Sequence, residues 1–137
     1  MKLIKLFALI ISAAAFVACG DDNQEESKYT PKGNVVFIEK DNTLTYDLSH
    51  KARLVAAEDY AIRCFGCLYG FIAGMCAGNY DITDIFVDST LKIGGDDLEK
   101  LADMVDKLAK LETNITLSIS ADKADIPARL ADLAQEI

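Results

Sequence analysis

The chain opens on an almost unbroken apolar run, residues 6–17, interrupted only by Ser12, and then turns polar and acidic over residues 20–34. Beyond that, apolar positions recur with periods that name elements. Residues 35–39 are β-prone and lead into a Lys-Asp-Asn turn. Residues 43–48 then alternate, with Leu44, Tyr46 and Leu48 on one face, so the pair predicts a β-hairpin. Ser49 is placed to cap a helix that begins near His50. Leu54, Ala61, Phe65, Leu68 and Ile72 keep helical spacing until Asn79, Tyr80 and Asp81 end it.

Residues 84–93 alternate once more. Ile85, Val87, Leu91 and Ile93 face Asp84, Asp88, Thr90 and Lys92, and Gly94 and Gly95 turn the chain. Asp96 or Asp97 starts a helix whose stripe is Leu98, Leu101, Ala102, Val105, Leu108 and Ala109. Residues 114–120 form another alternating strand, and Asp125 and Pro127 open a last helix burying Ile126, Leu130, Leu133, Ala134 and Ile137.

The order is β-β-α-β-α-β-α, an α+β domain with a small mixed sheet, built from the hairpin and a right-handed βαβ crossover. Both C-terminal strands carry a polar face, whereas parallel sheets covered on both sides read as continuous apolar runs. Two layers are therefore expected, with helices on one side and a sheet open to solvent on the other. That open face would present Asp88, Thr90, Lys92, Thr116 and Ser118.

Length and charge narrow the picture. The 137 residues suffice for one domain, and 22 acidic against 14 basic residues give a net charge of −8. An acidic chain is a poor ligand for nucleic acid, whose binding starts from phosphate neutralisation. No nucleic-acid partner is expected.

Lys2 and Lys5, the apolar run and small residues before Cys19 have the layout of a secretory signal, and the run is too short for a comfortable transmembrane helix. Phe16-Val17-Ala18-Cys19 resembles the lipobox of bacterial lipoproteins, with Phe16 standing where Leu is usual. The resemblance implies removal of residues 1–18, acylation of Cys19 and anchorage to a lipid bilayer of the cell envelope. The outer membrane, on its periplasmic face or at the cell surface, is the favoured site. Residues 19–33 would then be a flexible tether, too poor in apolar groups to order themselves, and residues 34–137 the single domain.

The uncharged stretch Cys64-Phe65-Gly66-Cys67-Leu68-Tyr69-Gly70-Phe71-Ile72-Ala73-Gly74-Met75-Cys76-Ala77-Gly78 holds the candidate chemistry. Cys64 and Cys67 have the Cys-x-x-Cys spacing of thiol oxidoreductases. In those enzymes the motif follows a strand and opens a helix, whereas here the preceding residues read as helix. Buried thiols or one structural disulfide among Cys64, Cys67 and Cys76 is the plainer reading. Zinc on three thiolates and a remote His50 lacks a second ligand pair. No metal or cofactor is expected.

Gly66, Gly70, Gly74 and Gly78 recur every fourth residue, and in a helix four glycines cost about 3–4 kcal/mol relative to alanine. Close approach of another backbone, from the sheet or from a second copy, would offset that. The stripe also resembles glycine-zipper segments of bacterial envelope proteins, which would imply membrane insertion.

Three functional readings follow. The first is a non-catalytic envelope lipoprotein whose domain binds an unidentified protein or envelope partner or self-associates as a homo-oligomer. The second is a thiol–disulfide redox protein using Cys64 and Cys67. The third is a membrane-inserting oligomer.

Overall fold

The computed structural model describes residues 4–8, 34–41 and 52–135. The strands are β1 (Ile4–Ala8), β2 (Asn34–Glu39), β3 (Ala52–Ala56), β4 (Ile82–Val87), β5 (Asn114–Ile119) and β6 (Ala134–Gln135). The α-helices are α1 (Phe65–Gly78), α2 (Thr90–Gly94), α3 (Leu98–Leu108) and α4 (Ala128–Ala131). They form one sheet in the order β3-β2-β4-β5-β1-β6.

From residue 34 onward the main elements follow the expected β-β-α-β-α-β-α order of an α+β domain. The chain runs from β3 over β2 to β4, and from β4 to β5, always in the same lateral direction. Crossovers of one hand then place their helices on one face, and α1 packs against α3 there. Lys107 of α3 lies over the Tyr69 ring of α1, 5.7 Å from its centroid. The core between the layers contains Val36, Ile38, Val55, Ile85, Val87, Ile115, Leu117 and Ile119 from the strands. Leu68 and Ile72 of α1 and Leu101, Val105 and Leu108 of α3 meet them.

The mixed sheet and the hairpin are corrected. Every pairing among the described strands is parallel, and the neighbours of β2 are β3 and β4. The expected second hairpin strand, residues 43–48, and the helix start near His50 lie outside the described residues. Ala52–Ala56, read as helix, is a strand. Pairing with β2 delivers Val55 to the core, and that burial outweighs a helical spacing carried by few residues.

The open sheet face is corrected in part: Asp84, Phe86 and Thr116 on that side stay partly exposed, but its middle is closed. Val35, Phe37 and Ser118, on the side away from α1 and α3, are all buried, and Phe37 stacks on Phe86 with ring centroids 5.3 Å apart. Residues 35–38 are an uninterrupted apolar run, the pattern of a strand covered on both faces.

The strand expected over residues 84–93 ends at Val87. Asp88 N–H donates to the Ile38 carbonyl (2.8 Å), Ser89 takes a left-handed conformation at φ 51°, and α2 begins at Thr90. Ile93 reaches the core from a helix, not from a pleat. The third helix starts as expected, with the Asp97 carboxylate accepting the N–H groups of Glu99 (3.1 Å) and Lys100 (3.2 Å). The last helix is reduced to the single turn of α4, whose Leu130 is fully buried.

Candidate functional site

The sequence around Cys64 builds a rigid mount for an exposed sulfur. β3 runs into a 3-10 turn, Ala57–Tyr60, closed by Ala61 in a left-handed conformation at φ 55°. Ile62 N–H donates to the Ala57 carbonyl (3.0 Å), and Ile62 and Phe65 are buried on either side of Cys64. Cys64 itself is extended (φ −151°, ψ 160°) and is the N-cap of α1. Its carbonyl accepts the Leu68 N–H (2.9 Å), and its Sγ accepts the Cys67 N–H (3.0 Å).

Cys64 and Cys67 are joined in a disulfide, and both residues are exposed. The Cys-x-x-Cys motif therefore follows a strand and a short turn and opens a helix. The reading of the preceding residues as helix is overturned, and with it the main objection to thiol chemistry. Cys64 Sγ stands at the amino end of α1 beside backbone N–H groups, the setting that favours a thiolate in reduced Cys-x-x-Cys motifs.

Cys76 belongs elsewhere. It lies three turns along α1, is half-buried, and its Sγ–H donates to Thr113 Oγ1 (3.4 Å). At about 1.5 Å per residue it stands about 18 Å from Cys64 along the axis, out of reach of the disulfide. Among the described residues no group of three or more His, Cys, Asp and Glu converges on a metal-sized space. His50 and Cys19 lie outside them.

The glycines are continuous in one helix but do not face the core. Gly66, Gly70, Gly74 and Gly78 are exposed, and side chains built at 70, 74 and 78 would meet open space. The tight approach is at Gly94, where a methyl group would overlap the Phe65 ring. α1 rises about 21 Å over its 14 residues, short of a hydrocarbon core of about 30 Å. No helix among the described residues is long and apolar enough to cross a membrane.

A polar cluster at the carboxyl ends of β4 and β5 gathers part of the residues first assigned to an open face. Ser118 Oγ donates to Asp88 Oδ1 (3.1 Å) and accepts the Ser89 N–H (3.2 Å), while Ser89 Oγ donates to Asp88 Oδ2 (3.1 Å). Thr90 is fully buried and donates to the Val87 carbonyl (3.4 Å). Lys92 and Thr116 do not join them. The cluster satisfies the polar groups of the strand-to-helix bend. No protein family and no curated protein matches this chain.

Proposed function

We propose that this protein is a lipid-anchored envelope protein, tethered through acylated Cys19 once residues 1–18, and with them strand β1, are removed, and that the remaining domain on the sheet β3-β2-β4-β5 carries out thiol–disulfide exchange at Cys64 and Cys67. The observation that carries the second half is the placement of Cys64 as the exposed N-cap of α1 with its Sγ accepting the Cys67 N–H. A four-residue ring closed by a disulfide stabilises a fold by only about 2 kcal/mol in the chain-entropy account, so structural service alone is a modest return for two exposed cysteines.

The chemistry balances with a partner dithiol or disulfide as the only co-reactant. In the reduced protein the Cys64 thiolate attacks one sulfur of a partner disulfide. A mixed disulfide forms and one partner thiolate leaves. Cys67, as thiolate, then attacks Cys64 Sγ, closing the internal disulfide and releasing the second partner thiolate. The partner gains two electrons and the protein loses two. Run in reverse, the oxidised protein oxidises a partner dithiol. The N–H of Cys67 and the end of α1 stabilise Cys64 as a thiolate, which makes it both the nucleophile and the better leaving group.

Two measurements test the two halves. Mass spectrometry of the N-terminal peptide from native membranes should find Cys19 acylated and first in the chain; an intact Met1 contradicts anchorage. Cys67→Ser should trap a mixed disulfide on Cys64 with a small aromatic disulfide, and a chain that forms none contradicts exchange.

A second reading, binding without chemistry, draws on the exposed glycines. Gly70, Gly74 and Gly78 offer a bare helix face to a second copy. Sedimentation that shows a dimer abolished by Gly74→Leu, together with an inert disulfide, favours it.

A further inference from the structure

One position breaks the rule of the core face. In parallel register Arg53 of β3 pairs with Val36 of β2, Val36 with Ile85 of β4, and Ile85 with Ile115 of β5. Residues in register point to the same side of a sheet. This row lies on the face covered by α1 and α3, and Val36, Ile85 and Ile115 are buried and apolar. The fourth member, on the edge strand, is Arg53, exposed where the cover ends.

The helix above breaks the rule in a complementary way. The last turn of α1 ends at Gly78, where a side chain would meet open space. A charge on the sheet and a missing side chain on the helix leave a cavity of about 400 Å³, bordered by Arg53, Asn34, Val36, Met75, Gly78 and Ile82. At about 30 Å³ per water it has room for about a dozen waters, and it falls within the size range of small-molecule sites. Arg53 makes no ion pair with any described residue.

We propose that this cavity binds a small monocarboxylate with an apolar body, its carboxylate on Arg53 and its body against Val36, Met75 and Ile82. Arginine presents two parallel donors that match a carboxylate. The apolar wall accounts for the body. The protein's net charge of −8 repels multiply charged anions more strongly than a single carboxylate, which disfavours phosphates. The site lies at the amino ends of β2, β3 and β4, whereas the disulfide lies at the opposite end of α1, so the two functions are separable.

The carboxylate has two sources, a free organic acid or the C-terminus of a polypeptide. The test titrates the full chain in lipid nanodiscs with hexanoate, hexanamide, N-acetyl-leucine and N-acetyl-leucinamide, reading methyl chemical shifts of Val36, Met75 and Ile82. Each acid should bind at least about ten-fold tighter than its amide. Tighter binding of N-acetyl-leucine than hexanoate points to a polypeptide tail and the reverse to a free acid; either order upholds the carboxylate site. Arg53→Met should abolish the preference for acid over amide. Gly78→Leu, which fills the cavity and leaves Arg53 in place, should abolish binding of the acids. Amides that bind as well as acids, or a preference that survives either substitution, overturn the proposal.

Discussion

The ring of Phe65 packs against Gly94, so closely that the space a methyl group would occupy is already filled by the ring. Phe65 is the first residue of α1 and Gly94 the last of α2. Their contact fixes the head of the helix that carries Cys64. Gly94→Ala must displace the ring or the helix, and overpacking of this kind costs about 1–3 kcal/mol. Urea denaturation should show that loss. The same experiment on Gly70→Ala, where the helix face is open, should show a gain of about 0.5–1 kcal/mol from helix propensity. Equal effects at the two glycines contradict the packing described.

Ser118 holds the bend between β4 and α2 by serving two partners at once. Removing its hydroxyl leaves the Ser89 N–H and an Asp88 oxygen without that partner. Ser118→Ala should cost about 1–3 kcal/mol, the range for orphaning buried polar groups. Ser118→Thr keeps the hydroxyl and should recover most of it, as read by thermal denaturation.

Arg129 ties the turn of α4 to α3 by bonding Asp103 Oδ1 (2.8 Å), Asp106 Oδ2 (2.8 Å) and Glu99 Oε2 (3.1 Å). The hydrogen bond to Asp103 is the main reason its pKa is raised further above an already high value, against a lowering by desolvation. A raised basic pKa contributes stability that is fully present at lower pH and is lost only in strongly alkaline solution. Arg129→Met should therefore lower the melting temperature equally at pH 6 and pH 9. Because the groups are exposed, about 0.5 M salt should shrink the difference. A loss confined to one of the two pH values contradicts this assignment.

The disulfide should matter more to chemistry than to folding. Cys67→Ser and Cys64→Ser should each destabilise the oxidised domain by no more than about 2 kcal/mol. Only Cys67→Ser should keep a nucleophilic thiol, since Cys64 alone sits at the helix cap. Alkylation rates at pH 7 that are equal in the two variants contradict a special role for the cap.

What could be read from the sequence depended on how much of the energy was local. Asp97 was legible as a helix start because its carboxylate acts on N–H groups two and three residues away. The stripe Leu101, Ala102, Val105 and Leu108 was legible because it repeats over about two turns. Ala52–Ala56 was not, because its strand state is set by β2, a partner distant in sequence. The alternation of residues 84–93 misled for the same reason: Ser118 and Ile38, far along the chain, hold the bend at Asp88. That misreading propagated to the site. A helix over residues 52–60 would put Cys64 mid-helix, where the motif carries no such chemistry. Arg53 gave no local signal, since only the register of β3 with β2 brings this exposed edge residue into line with the core row.

The most direct test equilibrates the full chain in glutathione buffers from about −180 to −320 mV and counts free thiols at Cys64 and Cys67 by alkylation and mass spectrometry. Reversible reduction with a midpoint above about −270 mV is expected, as the stabilised Cys64 thiolate favours the dithiol. A disulfide that stays closed to below about −300 mV is a structural one and contradicts exchange as its function.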